Sequence, residues 1–164
     1  MANASVSGSI GRGIAAGAVG TAVMTGLQLA VRKTRGEPLR TRVPRTWAEA
    51  PAPAQVVKKA AEAVGHGRDV TKKDVPRITN LMHWGYGLWW GTAYGVAARS
   101  RGSNPAAGGA VLALGVWTAE YAELVPLGIS KKPWDVPPRE LALDLAYHLS
   151  YGLAVAGAYA ALDR

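Results

Sequence analysis

Four apolar blocks, separated by polar segments, decide most of what this chain can fold into. Each block contains roughly 18 to 24 residues, which is the length that an α-helix needs to cross the hydrocarbon core of a membrane. The blocks are rich in Ala and Gly rather than Leu and Ile, so each is only weakly hydrophobic by itself, and a soluble Ala-rich bundle is the alternative. We predict a single integral membrane domain over residues 1–164. Its spans are expected at about 10–32, 78–98, 106–129 and 139–162.

The positions of the charges are more informative than the formal net charge of +8. Of the 19 Lys and Arg residues, twelve lie in 32–77 and three more lie in 131–139. Because basic loops stay in the cytoplasm, we expect a multi-pass protein of the cytoplasmic membrane with the basic loop 33–77 inside and both termini outside. Such a loop is attracted to anionic lipid headgroups. A charge pattern that follows membrane topology argues against a nucleic-acid partner.

One sequence motif, H-x-x-Y-G-L-x-x-x-x-A-Y, occurs twice, and an Asp-Val-Pro tripeptide precedes each copy. The matching residues are His83, Tyr86, Gly87, Leu88, Ala93 and Tyr94 in the first copy, and His148, Tyr151, Gly152, Leu153, Ala158 and Tyr159 in the second. We predict that the copies are equivalent helices entered from the same side of the membrane. The fold is then all-α, a four-transmembrane-helix bundle of two tandem helical hairpins related by an axis along the membrane normal. The short outer loop 99–105 predicts that the second and third spans are antiparallel neighbours.

The basic loop contains one segment with helical periodicity. Four prolines, the last of them Pro53, make a continuous helix before Ala54 implausible. After Pro53 the residues Val57, Ala60, Ala61 and Val64 share one helical face, and Gln55, Lys58, Lys59 and Glu62 share the other. We predict a short amphipathic helix that ends at Gly65 and either lies on the inner membrane surface or packs on the bundle.

Small residues recur at intervals of four in the spans, as in the series Gly13, Gly17, Thr21 and Thr25. Such stripes let helices approach closely in lipid, where little hydrophobic force drives helices together. We predict helix packing at Gly17, Gly87, Gly91, Gly95 and Gly152. Because four thin helices enclose little volume, we expect a transport route to require a homo-oligomer that uses these stripes as contact surfaces.

All four predicted spans bring polar side chains to one layer. At 1.5 Å per residue, these side chains lie roughly 6 to 14 Å from the cytoplasmic ends of their helices. Ionisable residues inside a span are costly, so they are expected to point into the bundle and to mark a functional site. The candidate site consists of Gln28, His83, Glu120, Glu123, Asp144 and His148.

Three interpretations of this polar layer remain open from the sequence. The groups satisfy one another and hold the helices together, or they line a cytoplasm-facing cavity that passes protons or binds an ion or small polar solute. In the third interpretation they form a metal site, or a haem site with His83 and His148 as axial ligands. The sequence lacks the Glu-x-x-His arrangement of di-iron bundles and contains no Cys, so it assigns no metal ligand and no cofactor. It shows no Ser-His-Asp order and no phosphate-binding loop, and gives no ground for predicting an enzyme.

Several short motifs resemble one known group of proteins. They are Gly17-x-x-Gly20-Thr21-x-x-Met24-Thr25, Pro53-Ala54-Gln55, His83-Trp84-x-Tyr86-Gly87 and Asp144-x-x-x-His148-x-x-Tyr151-Gly152. These motifs are similar to those of small bacterial integral membrane proteins of the uncharacterised YagU-like type. The resemblance implies a multi-span inner-membrane protein of unknown activity, and it transfers no catalytic residue.

Overall fold

The computed structural model describes residues 6–98 and 104–164, and these residues form five α-helices and no β-strand. The helices are α1 (Val6–Thr34), α2 (Ala52–Ala63), α3 (Val75–Ala98), α4 (Pro105–Leu124) and α5 (Pro138–Leu162). The prediction of an all-α fold is confirmed. Most of the predicted outer loop 99–105 lies outside the described residues. Among the described helices, α1 alone has both the length and the apolar composition needed to cross a membrane.

The boundaries of α1, α3 and α4 differ from the predicted spans by more than one residue. The helix of the third span stops at Leu124 rather than 129, because Pro126 has no N–H to donate and its ring disfavours a continuing helix. Gly128, with a φ of 66°, then turns the chain back so that the Ile129 N–H donates to the Leu124 carbonyl at 3.0 Å. The helix α3 begins at Val75, before the predicted start at 78, and α1 extends beyond the predicted span 10–32 at both ends.

The four long helices pack side by side in the order α3, α1, α5, α4. Ion pairs join both ends of the antiparallel helices α1 and α5, between Arg12 and Asp163 at 3.1 Å and between Arg35 and Glu140 at 3.2 Å. The prediction that the second and third spans are packed neighbours is wrong, since α3 and α4 contact each other only sparsely. Because α1 and α5 occupy the centre, α3 and α4 are held apart on the outside.

Glycines allow backbone-to-backbone contact between the paired helices. A Cβ atom added at Gly91 would lie 2.4 Å from the Gly17 Cα atom, and one added at Gly152 would lie 2.3 Å from the Gly109 carbonyl oxygen. Every glycine predicted to mediate packing, including Gly87 and Gly95, touches another helix of the same chain. These stripes are therefore used inside the chain, and an oligomer would have to use other surfaces.

Two buried tyrosines of α5 connect this helix to α3. The Tyr151 hydroxyl donates to the Gly87 carbonyl at 2.5 Å, and the Tyr159 hydroxyl donates to the Gly95 carbonyl at 3.1 Å. Both rings belong to the main hydrophobic core, where they pack with the fully buried Val155. Since each tyrosine is paired with the glycine of the corresponding turn of α3, the two helices run parallel.

The helix of the basic loop, α2, packs on the start of α3 by its first turns only. Ala54 is fully buried and clusters with the fully buried Val75. The rest of the chain covers the predicted apolar face of this helix only in its first half, because Ala60 is exposed and the Val64 side chain after the helix is 70% exposed. The helix ends as predicted, with Gly65 at a φ of 82°.

Candidate functional site

The polar residues predicted from the four spans surround one cavity. Its volume is about 280 Å³, and it lies in the half of the molecule where α1 ends and where α3 and α5 begin. All five helices contribute to its walls. The residues of the predicted site that line it are Gln28, His83, Glu120, Glu123, Asp144 and His148.

His148 is more buried than any other His, Asp or Glu side chain of the cavity, with 4% of its surface exposed. Its Nδ1 atom lies 2.9 Å from the backbone carbonyl oxygen of Asp144, one helical turn earlier. A carbonyl oxygen can only accept, so the Nδ1–H group donates. The Nε2 atom faces the Oε2 atom of Glu120 at 2.9 Å. A contact of that length between these two acceptor atoms requires one proton, which the imidazole and the carboxylate share.

Asp144 is oriented by two aromatic residues of α4. Its Oδ2 atom accepts from the Trp117 Nε1–H at 2.9 Å and from the Tyr121 hydroxyl at 3.3 Å. Its Oδ1 atom lies 3.7 Å from the His148 Nδ1 atom. Sequence reasoning did not select Trp117 and Tyr121 for the site. They are four positions apart on the helical face that also carries Glu120, and this spacing is the signal that could have identified them.

Three side chains of the cavity are close enough to bind one metal ion. Glu120, Asp144 and His148 each offer a ligand atom, and these atoms all lie within 4.8 Å of one another. Two are oxygen donors and one is a nitrogen donor. Within residues 6–98 and 104–164, no other group of three such side chains has this geometry.

His83 and Glu123 of the predicted site make contacts between helices at other points of the cavity wall. The His83 Nε2 atom and the Thr25 hydroxyl share a hydrogen bond of 3.0 Å between α3 and α1. The Tyr86 hydroxyl donates to the Glu123 Oε1 atom at 3.4 Å, across the gap between α3 and α4. Glu123 is exposed, so this side chain stands at the edge of the cavity.

Apolar side chains form most of the remaining wall. They include Met24, Met82, Trp90 and Val116 of the long helices and Pro53 and Val56 of α2. Sequence reasoning placed no residue of α2 at the site, because the periodicity of a loop helix does not show which cavity it approaches. An apolar wall with a few convergent polar groups is the usual construction of a site for a small ligand.

Comparison with protein-family models, with curated proteins and with solved structures yields no match to this chain. The site must therefore be interpreted from its own geometry.

Proposed function

We propose that this chain is an integral protein of the cytoplasmic membrane, in which the four long helices cross the bilayer around a polar cavity that handles protons, an ion or a small polar solute. The observation that carries the proposal is the position of Glu120 and His148. They share a proton in the wall of a cavity to which every long helix contributes a polar side chain. The resemblance to YagU-like membrane proteins, which we retain as a proposal, agrees with this assignment but adds no activity.

The outward surfaces of the long helices support the membrane assignment. Only 22% of the apolar window of α1 is buried, whereas the core helix of a soluble protein is mostly buried. Val111 of α4 is 71% exposed and Trp89 of α3 is 66% exposed. No Asp, Glu, Lys or Arg occurs in 13–31, 84–98, 104–119 or 149–162. Exposed apolar surface of this extent is unfavourable in water and is what lipid requires.

The charged residues support an orientation with the cavity toward the cytoplasm. The basic loop 33–77 connects the end of α1 to the start of α3, so it lies at the same end of the molecule as the polar cavity. The Trp134 side chain in the loop before α5 is 77% exposed at this end, where tryptophan is favoured at the membrane interface. We therefore place anionic lipid headgroups beside the basic loop and both termini outside.

The two motif copies lie on α3 and α5, and we interpret them as an internal repeat. The parallel directions of α3 and α5 support this interpretation, since equivalent helices entered from one side must run parallel. The repeat is asymmetric in its packing, because α1 packs along α5 whereas α3 and α4 stay apart. The cavity lies where α3 and α4 stay apart.

The cavity chemistry suits a cation better than an anion. Glu120, Glu123 and Asp144 bring three carboxylates to its wall, and no Lys or Arg lines it. A bound cation would compete for Glu120 with the proton shared with His148. Proton release then accompanies cation entry, which is the requirement for coupling the two.

Flux measurements in proteoliposomes test the proposal. We expect wild-type protein to dissipate an imposed pH gradient, followed by an internal pH-sensitive dye, and we expect the double variant E120Q/E123Q to reduce the rate at least tenfold. The matched control is E62Q, which removes a carboxylate of α2 that does not line the cavity. Equal rates for the wild type and the double variant would contradict proton handling, and extraction of the protein without detergent would contradict the membrane assignment.

A haem protein with two axial histidines is the second candidate function. Both histidines line the one cavity, which favours it. However, the His83 Nε2 atom is hydrogen-bonded to Thr25 and the His148 Nε2 atom faces Glu120, so haem ligation requires both contacts to break. Soret absorbance of the purified protein decides between the two functions, because a stoichiometric chromophore would establish the second.

A further inference from the structure

We propose that the cavity binds one divalent transition-metal ion through Glu120, Asp144 and His148. This inference rests on the proposed cation-handling function and names its cation class. The ligand set does not include Glu123 or His83, although both side chains line the cavity.

Ligand geometry is the first step of the argument. Three atoms no more than 4.8 Å apart lie within about 2.8 Å of a common point, which is 4.8 Å divided by the square root of three. Zinc-to-nitrogen and zinc-to-oxygen bonds are about 2.0 to 2.2 Å long, so the ligand atoms need to move inward by roughly 0.7 Å. Side-chain rotation alone supplies a movement of that size.

The surroundings of the ligands are those of an oriented metal site. The His148 Nδ1–H donates to a backbone carbonyl, which leaves the Nε2 atom directed at Glu120 and the cavity. The Oδ2 atom of Asp144 is held by Trp117 and Tyr121, which fixes the orientation of this carboxylate beside His148. Hydrogen bonds of this kind orient the metal-binding side chains and raise metal affinity in known sites.

Charge balance and donor type select the class of ion. Two carboxylates and a neutral imidazole carry a charge of −2, which a divalent cation neutralises, whereas an unpaired buried charge is costly. One nitrogen and two oxygen donors suit Zn²⁺, Mn²⁺ or Fe²⁺. Mg²⁺ is disfavoured because it takes oxygen ligands and dehydrates reluctantly.

Three protein ligands leave at least one coordination position open toward the cavity. Structural zinc sites are normally closed by four protein ligands, whereas an open position admits water or a second ligand. The site therefore suits an ion that takes a further ligand rather than one that only holds the fold together. Such an ion would be the cargo of the cavity or a cofactor for a ligand beside it.

Cobalt titration of the purified full-length chain in detergent, without a histidine tag, tests this site. We expect Co²⁺ to give visible d–d absorption that saturates at one ion per chain, to be displaced by Zn²⁺ and to be unaffected by Mg²⁺. We expect E120Q and H148Q to weaken binding at least tenfold, with helicity measured by circular dichroism to verify folding. Wild-type protein that binds no stoichiometric Co²⁺ or Zn²⁺ would overturn the proposal without any variant.

Two further variants separate this site from its alternatives. H66Q removes the exposed His66–Asp69 pair outside the cavity, and binding must persist in that variant. Loss of binding in H83Q as large as that in H148Q would replace the three-ligand site with a two-histidine site. Metal binding in detergent does not depend on translocation across a membrane. Failed metal binding with intact proton flux in vesicles would therefore overturn the metal site alone. Metal binding without proton flux would overturn the proposed proton handling alone.

Discussion

At the scale of single residues, glycines on the same helix have opposite roles. On α3, a Cβ atom added at Gly91 would lie 2.4 Å from the Gly17 Cα atom and 2.7 Å from the Gly13 carbonyl oxygen. A Cβ atom added at Gly85 would meet no atom within 4 Å. The first glycine therefore sets the separation of α1 and α3, and the second only adds flexibility to the helix.

Alanine substitution distinguishes these two roles. We expect G91A to lower the free energy of unfolding by about 1 to 3 kcal/mol, because two backbones must separate to admit the methyl group. The matched control G85A should raise it by about 0.5 to 1 kcal/mol, since alanine is the better helix former. Reversible denaturation in detergent micelles measures both values, and equal effects of the two variants would contradict the backbone contact.

At the scale of elements, α3 and α5 each begin after a short 3₁₀ turn that ends in Asp. The turn Lys72–Asp74 is closed by a capping box, in which the Asp74 carboxylate accepts from the Thr71 backbone N–H at 3.0 Å and from the Thr71 hydroxyl at 2.7 Å. In the turn Pro133–Asp135, the N-cap residue Lys132 makes no side-chain cap hydrogen bond. The turn before α3 is therefore closed by a side-chain cap that the turn before α5 does not have.

The capping box makes the start of α3 sensitive to acid. Hydrogen bonds from Thr71 lower the pKa of Asp74 below its ordinary value. Because the folded-state pKa is the lower one, this stabilisation is present above the unfolded-state pKa of about 3.9 and is lost as the pH falls through the folded-state pKa. We expect D74N to lower the thermal midpoint at pH 7 and to match the wild type near the acid limit.

The control for this prediction is D135N, which changes the Asp of the other turn. We expect it to alter the thermal midpoint little at either pH. A gap between wild type and D74N that persisted unchanged into acid would show that Asn at position 74 disturbs packing rather than a charge-dependent cap.

At the scale of the whole molecule, charge and polarity divide the bundle along its length. One end carries the basic loops and the polar cavity, and the other end is closed by the ion pair between Arg12 and Asp163. No Asp, Glu, Lys or Arg lies in the middle of any long helix. If the chain crosses a membrane as we propose, this division gives it a defined orientation there.

Single-cysteine labelling tests that orientation, and the absence of native Cys removes any background. We expect an impermeant maleimide to label R164C, at the exposed C-terminus, in intact cells. It should label K59C, on the exposed side of α2, only after the membrane is opened. Labelling of both positions in intact cells would contradict the proposed topology.

The depth of each polar residue could be predicted from the sequence, because a helix advances 1.5 Å per residue from a recognisable end. That rule was enough to group Gln28, His83, Glu120 and His148 before any contact was known. The glycine stripes could also be identified from the sequence, since small residues four positions apart share a helix face whatever the helix packs against. The error at the end of the third span arose at a proline turn, where periodicity is weak.

Rotation of the helices and the choice of neighbours were decided only by the tertiary structure. The amino-acid sequence by itself determined an all-helical chain with apolar helix surfaces, basic loops at one end and a polar layer near them. Which side chains meet depended on packing of the Gly17 stripe against α3 and of Gly152 against α4, which places α1 and α5 at the centre. That packing pairs His148 with Glu120 and holds α3 away from α4. These contacts could not be predicted from the sequence, because contacts between distant segments depend on shape complementarity, which local sequence patterns do not show.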